Sequence, residues 1–332
     1  MSEMTDIVAA SAGGIFGDGG TWPQVSDAGL HRLLLPEDQG GMGEAFEEAV
    51  AVAMQVGLHA VTSPVLETVV ANWCLVNAGL TVDDQPCWLL FGDDIGAQIK
   101  SGRLFCTRPL IVPADITRVV VIVGNDVGVL EGLSGGVGGV FLHDVSQRRI
   151  SPPPEGFALA DLASLPAGTL APLYILALLK SAAIAGATEA ALNLTVEYAN
   201  TRKQFGRAIG QFQAIQHMTA QLSGDVVAAA ASVQHAARTL SGAQGAMQGP
   251  WAVAAAKGFT SEAAGAVAAI AHQVHGAIGF TEEFVLQRYT KCLWMWREDT
   301  GDEAVWYGRL GEAALRDEKS GVWSAIVDGA PL

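Results

Sequence analysis

The sequence predicts an α+β fold that is mainly α, with N-terminal helices, a small middle β unit and a C-terminal four-helix-type bundle. Three observations carry that expectation. From Ala171 onward the chain is Ala-rich and helical in its periodicity. Between Leu104 and Ile150, short β-rich runs are separated by Gly and Asp turns. Pro152-Pro153-Pro154 then forms a linker, because successive prolines fix φ and remove backbone donors. The implied domains are residues 1–94, 95–160 and 161–332.

Taken in order, residues 1–22 are Gly- and Ser-rich and weakly patterned. Ala28 to Gly43 reads as a helix end, a short apolar strand-like run and a Gly-Gly turn, and Ala45 to Ala78 reads as helical. Thr117 to Val123 and Gly139 to Leu142 read as strands of a small sheet. Helices are predicted near 172–199, 211–240, 251–275, 282–297 and 303–316. Glu189, Asn193 and Glu197 recur every four residues and form one narrow polar stripe on the first of these. A helix wet along one stripe belongs in a bundle, where dense alanine allows close approach. Lys180 lies opposite that stripe, so it projects into the bundle or snorkels out from its first turns; snorkelling is the expected arrangement.

A chain of 332 residues with 50% hydrophobic content can bury at least one large core. Charged residues make up only 16%, against roughly 25% in ordinary soluble domains, so part of the surface is expected to lie against partner subunits. A net charge of −15 argues against nucleic acid or anionic membrane as a partner. Cys74, Cys87, Cys106 and Cys292 form neither a CxxC pair nor a disulfide framework, which implies reduced thiols and a cytoplasmic protein. No signal peptide is evident, and apolar runs such as Val226 to Ala231 fall short of the roughly 20 residues of a membrane span.

The most informative stretch runs from Arg202 to His217, Arg-Lys-Gln-Phe-Gly-Arg-Ala-Ile-Gly-Gln-Phe-Gln-Ala-Ile-Gln-His. It joins two helices through a cationic, amide-rich turn suited to a phosphate. A guanidinium at Arg202 can aim two donors at a pyrophosphate, although an Arg at a helix C-terminus is also favoured by the dipole alone. A second segment, Gln273-Val-His-Gly-Ala-Ile-Gly-Phe-Thr281, offers glycines that let backbone amides approach a ligand. His272 and His275 lack a carboxylate partner at fitting spacing and are assigned to packing, so no metal is expected. The spacing of Trp294, Trp296 and Trp306 fits a cofactor box or helix packing equally.

Both segments resemble the signatures of the acyl-CoA dehydrogenase family, flavoproteins that desaturate acyl thioesters between Cα and Cβ. Gly29 to Gly43, with its Pro-Glu and Gly-Gly pairs, resembles an early loop of that family. The resemblance implies an FAD site lined by Arg202, Gln204, Phe205, Phe212, Gln213, Gln273, Gly276 and Ala277, with Arg202 and Gln273 reaching the cofactor of a neighbouring subunit. Ala277 departs from the second Gly of the family's Gln-x-x-Gly-Gly-x-Gly segment.

Other family residues are missing. Removal of the α-proton needs a carboxylate within hydrogen-bond reach. The family supplies it just before a Gly, where this chain has Thr300 before Gly301, or about 26 residues before the motif Arg, where it has Leu176. Glu298 and Asp299 are nearby alternatives that a register shift would bring into play. The Thr and Gln that follow the catalytic Gly and contact FAD in many members are replaced by Asp302 and Ala304. The loop resembling Thr-Glu-Pro-x-x-Gly-Ser-Asp, which holds the flavin ring, is cut to Thr107-Arg108-Pro109-Leu110-Ile111.

The chain therefore resembles the shortened, non-catalytic subunit of bacterial heterotetrameric dehydrogenases that act on steroid side chains. That resemblance implies an α2β2 complex with a full-length homologue, a shared FAD, a bulky acyl-CoA substrate and an electron-transfer flavoprotein as acceptor. The other readings are a homo-oligomeric enzyme using Glu298 or Asp299, and a flavin-free scaffold or acyl-CoA-binding protein.

Overall fold

A computed structural model describes residues 3–140, 146–242 and 245–316. Phe141 and Leu142, read above as strand, lie outside the described residues. The rest gathers into two compact units: Met1–Gly19 with Phe46–Val61 and Ala177–Leu332, and Gly20–Ala45 with Thr62–Leu176.

The first unit is helical. Helix α1 (Glu3–Gly17) forms where the sequence suggested little order. Its few apolar positions, Ala12 and Phe16, are buried, and Thr5 donates to Glu48 at 2.8 Å on helix α3 (Phe46–Leu58). Tertiary contact thus supplies what local pattern lacks. Helix α6 (Pro172–Thr201) contributes its residues from 177 onward. These are buried on all sides as far as Thr188, and the exposed stripe of Glu189, Asn193 and Glu197 begins only beyond it. Helices α3 and α6 cross on two glycines. A Cβ on Gly57 would lie 1.9 Å from the Ala183 carbonyl oxygen, and one on Gly186 would lie 1.9 Å from that of Met54.

Helices α7 (Gln213–Ser241) and α8 (Gly245–His275) form the long hairpin of the bundle. Helix α8 starts before Pro250, not after it as its sequence implied. Pro250 is the sixth residue of the helix and forgoes one intrahelical hydrogen bond, while around it Gly245 and Gly249 press against Leu240 and Trp251 packs with Ala313. Helices α9 (Leu286–Glu298) and α10 (Glu303–Arg316) complete the unit.

Among the described residues two helices, Pro172–Thr201 and Gln248–Phe280, are long and apolar enough to cross a membrane by length and composition, contrary to the sequence reading. In the first, 89% of the apolar window is buried within the protein, as in the core helix of a bundle.

The second unit holds α2 (Trp22–Asp27), α4 (Val65–Asn77), the single-turn α5 (Gly92–Ile95) and strands β1 to β10. The expected strand at Leu33-Leu34-Leu35 is absent. All three leucines are buried, and tight 3-10 turns at Leu30–Arg32 and Glu37–Gln39 carry the backbone instead.

Strands β1 (Cys87–Phe91), β5 (Arg118–Val123), β6 (Asp126–Leu130) and β10 (Asp161–Ser164) form one sheet in that order, with β1 parallel to β5 and the remaining pairs antiparallel. Val119, Val120 and Val121 of the inner strand β5 are fully buried, as a strand covered on both faces requires. Two three-stranded sheets complete the unit: β2 (Ala97–Lys100), β3 (Arg103–Cys106) and β9 (Phe157–Ala158); and β4 (Leu110–Pro113), β8 (Ser146–Ile150) and β7 (Val137–Val140). Only residues 107–109 connect β3 to β4, and Thr107 and Arg108 both donate backbone N–H groups to the Ile95 carbonyl.

Candidate functional site

Between α6 and α7 the chain makes a two-residue hairpin, β11 (Lys203–Gln204) and β12 (Arg207–Ala208). Its turn residues, Phe205 and Gly206, have φ of 51° and 82°. Two successive positive φ values match the twist of a tight hairpin and favour Asn-Gly or Gly-Gly. A phenylalanine there is strained, and its ring is 90% exposed. Phe212, the residue before α7, braces the hairpin from behind. It meets Phe205 edge-on at 6.1 Å, and the Arg207 guanidinium stacks 4.1 Å above its ring.

Helix α8 ends at Gly276, whose φ of 66° makes the left-handed exit usual for a helix C-terminus. Its missing side chain leaves open space, since nothing lies within 4 Å of a Cβ there. The hairpin and this helix end enclose a cavity of about 670 Å³ lined by Arg202, Gln204, Phe205, Phe212, Gln273, Gly276 and Ala277. Gln213 is not part of its wall; it opens α7 and is exposed. Two further wall residues are Tyr198, which the sequence reading did not single out, and His275, which it assigned to packing. Tyr198 lies one helical turn before Arg202, a spacing that places both on one face. The two rings stack at 4.5 Å. Burial pushes the His275 imidazole below its usual range, while Nδ1 lies 2.8 Å from the Ala271 carbonyl.

The cavity joins two kinds of chemistry. The Arg202 guanidinium, the amides of Gln204 and Gln273 and the backbone beyond Gly276 are donors for a phosphate. The faces of Phe205 and Phe212, with Ile209, Ile215 and Ile278, suit a flat apolar group. Among the described residues, no carboxylate stands within ion-pair distance of Arg202. This donor set and the open space at Gly276 fit the phosphate-bearing part of a dinucleotide such as FAD. His272, by contrast, packs: it stacks on Phe280 at 3.9 Å and pairs with Thr290 at 2.9 Å.

At the corner between α9 and α10, Thr300 and Gly301 both have positive φ, 65° and 96°. Trp306, fully buried, donates its indole N–H to the Thr300 carbonyl at 3.1 Å. Arg297 and Glu303 form a two-point ion pair across the corner. Leu176 is buried.

Lys180 does not snorkel. It is 3% exposed, and its Nζ meets Asp299 Oδ2 at 2.9 Å, where a partly exposed carboxylate just past the end of α9 offsets the cost of burying the ammonium. A second buried amine, Lys257 of α8, went unnoticed in the sequence because it sits in an otherwise apolar run. Its Nζ donates to Ser261 Oγ at 2.8 Å and to the Trp296 and Arg297 carbonyls at 3.0 and 2.8 Å, capping the end of α9. Burial lowers its pKa to about 7, with Asp299 opposing the shift and Lys180 adding to it.

A cationic hairpin facing a glycine-ended helix gives this helical bundle the donor set of a dinucleotide site. Residues 171–311 match the family of acyl-CoA dehydrogenase C-terminal domains. The acyl-CoA dehydrogenase IpdE2 of Mycobacterium tuberculosis is 32% identical over 267 residues, covering 79% of this chain and 76% of the relative. The chain belongs to the acyl-CoA dehydrogenase family.

Solved structures share the fold at lower identity. The ChsE4–ChsE5 complex from Mycobacterium tuberculosis superposes with a TM-score of 0.79 at 19% identity, covering 96% of this chain and 99% of that one. A structure described as the Tcur3481–Tcur3483 steroid ACAD gives 0.77 at 20% identity, covering 93% and 97%.

Proposed function

We propose that this chain is the non-catalytic subunit of a heteromeric, FAD-dependent acyl-CoA dehydrogenase and completes the cofactor site of a full-length homologous subunit. One contrast carries the reading. The wall formed by Arg202, Gln204, Phe205, Phe212, Gln273, Gly276 and Ala277 is assembled and open, whereas the chain spans β3 to β4 in three residues and has no acid at Thr300 or Leu176. Asp299, the nearest substitute base, is engaged by Lys180.

In this reading Arg202 and Gln273 hold the pyrophosphate of the partner's FAD, and Phe205 and Phe212 cover an apolar face of it. Gln213, exposed at the start of α7 and outside the cavity wall, is assigned to the cofactor by the motif alone. When bound, the flavin supplies the hydride acceptor for α,β-desaturation, and the partner supplies the carboxylate that takes the α-proton. Similarity to the ChsE4–ChsE5 complex and to a steroid ACAD supports a heteromeric, α2β2 assembly acting on a bulky, steroid-like acyl-CoA. We further take an electron-transfer flavoprotein as the acceptor and the cytoplasm as the setting.

Co-expression with a full-length homologue should give a yellow complex, while the chain alone should retain little FAD. The joint variant Arg202→Ala and Gln273→Ala should strip flavin from the intact complex, read as the ratio of flavin to protein absorbance. Undiminished flavin in that variant rules out the pyrophosphate role. Stoichiometric FAD on the isolated chain, reduced by acyl-CoA, rules out the subunit reading.

A further inference from the structure

His275, the last residue of α8, stands in the cavity wall beside Gln273 and Gly276. Its ring is 4% exposed and held on two sides: Tyr198 of α6 stacks on it at 4.5 Å, and Phe284, beyond the helix end, meets it at 4.9 Å. Packing fixes the ring's orientation, and hydrogen bonding then fixes its tautomer. Nδ1 lies 2.8 Å from the Ala271 carbonyl, and a carbonyl only accepts, so the single proton of the neutral ring sits on Nδ1. Nε2 is left as a bare acceptor, buried and without a hydrogen-bond partner among the described residues.

A buried acceptor with nothing to accept is a cost, and a second proton on the ring would remove it. Burial holds that proton off, while the Ala271 and Leu194 carbonyls favour the charged ring. A cation at this place also meets the negative end of the α8 dipole. The titratable and charged neighbours are few. Helix α6 presents Tyr198 and, one turn on, Arg202; α8 presents His272, which feels the His275 charge; the hairpin and α7 contribute no titratable wall residue. Among the described residues no carboxylate lies within ion-pair distance of the ring. The protein offers this imidazole two carbonyls and a helix end, but no anion of its own.

We infer that His275 is a further binding residue of this cavity, taking up a proton from solvent as a diphosphate enters and adding a second positive charge to that of Arg202. The inference rests on the reading above for the diphosphate being that of FAD. Phosphate charges act on the ring across the cavity, where the low dielectric of a buried wall preserves their field. Because the anion raises an imidazole that burial has lowered, FAD should bind most tightly at acid pH. Its affinity should weaken as pH climbs through the raised value, by about tenfold for each unit of the rise.

His275→Phe keeps a ring against Tyr198 and removes the titrating nitrogen. The deflavinated complex of this chain with its full-length homologue is titrated with FAD in a calorimeter near pH 6.5, the ordinary imidazole value, in PIPES and in ACES, whose ionisation heats differ. The wild-type binding heat should change with buffer, reporting uptake of up to about one proton per FAD. That uptake should vanish in His275→Phe and persist in His272→Phe. Wild-type affinity should rise about three- to tenfold between about pH 8 and about pH 6, a rise that His275→Phe loses. Equal wild-type heats in the two buffers overturn the inference without any variant, and so does uptake that survives His275→Phe. Flavin binding that depends on Arg202 and Gln273 but moves no proton sinks this inference alone, whereas flavin retained without those two residues sinks the earlier reading.

Discussion

Phe205 occupies a turn position where glycine or asparagine would sit without strain, and holding an L-residue there costs about 1 kcal/mol. The ring gains little within the chain, being 90% exposed. Strain at a ring that gains little within the chain fits the contact with cofactor proposed above. Phe205→Gly should therefore leave the melting temperature of the chain unchanged or slightly raised, while lowering the FAD retained by the co-expressed complex after dialysis. A lower melting temperature with full flavin retention would assign Phe205 to the hairpin instead.

At the scale of elements, the crossing of α3 and α6 depends on two glycines that each face the other helix's backbone. Helix propensity alone favours Gly186→Ala by about 1 kcal/mol, but the new methyl would sit 1.9 Å from the Met54 carbonyl oxygen. Sterics win, and the variant should lose about 3 kcal/mol or more in a urea melt. Gly14→Ala is the control. It lies in exposed α1 with nothing within 4 Å of the added methyl, and should gain about 0.5–1 kcal/mol.

The long helices were legible because Ala-rich periodicity persists over many turns, and the hairpin because its motif is contiguous. Helix α1 was not, since its order comes from α3, some 30 residues away in sequence by rough count. The pairing of Lys180 with Asp299 was equally hidden. Nothing local to Lys180 announces an acid more than a hundred residues on, so a long side chain near a helix start read as one that reaches water. Seven of the eight residues drawn from the two motifs gather at one cavity; Gln213 does not, because the helix it opens turns it outward.

At the scale of the molecule, Lys257 ties stability to pH. Its folded pKa of about 7 lies below its unfolded value of 10.5. Between those values the unfolded chain binds a proton that the folded chain lacks, so stability rises as pH increases from about 7 towards 10 and is flat below. The full effect is of the order of 4 kcal/mol. Lys257→Met removes this group and leaves the others, so wild type should gain on the variant across that window in denaturant melts taken at successive pH values. Parallel profiles would place the Lys257 pKa near its ordinary value.

The three residues that join β3 to β4 bear on the history of the chain. A lost acid can return by one nucleotide change, but no substitution lengthens a connection whose backbone is already bonded to Ile95. On the reading proposed above, a self-sufficient enzyme returns only by insertion or recombination, so the two subunit genes are inherited as a pair and losing either one silences both.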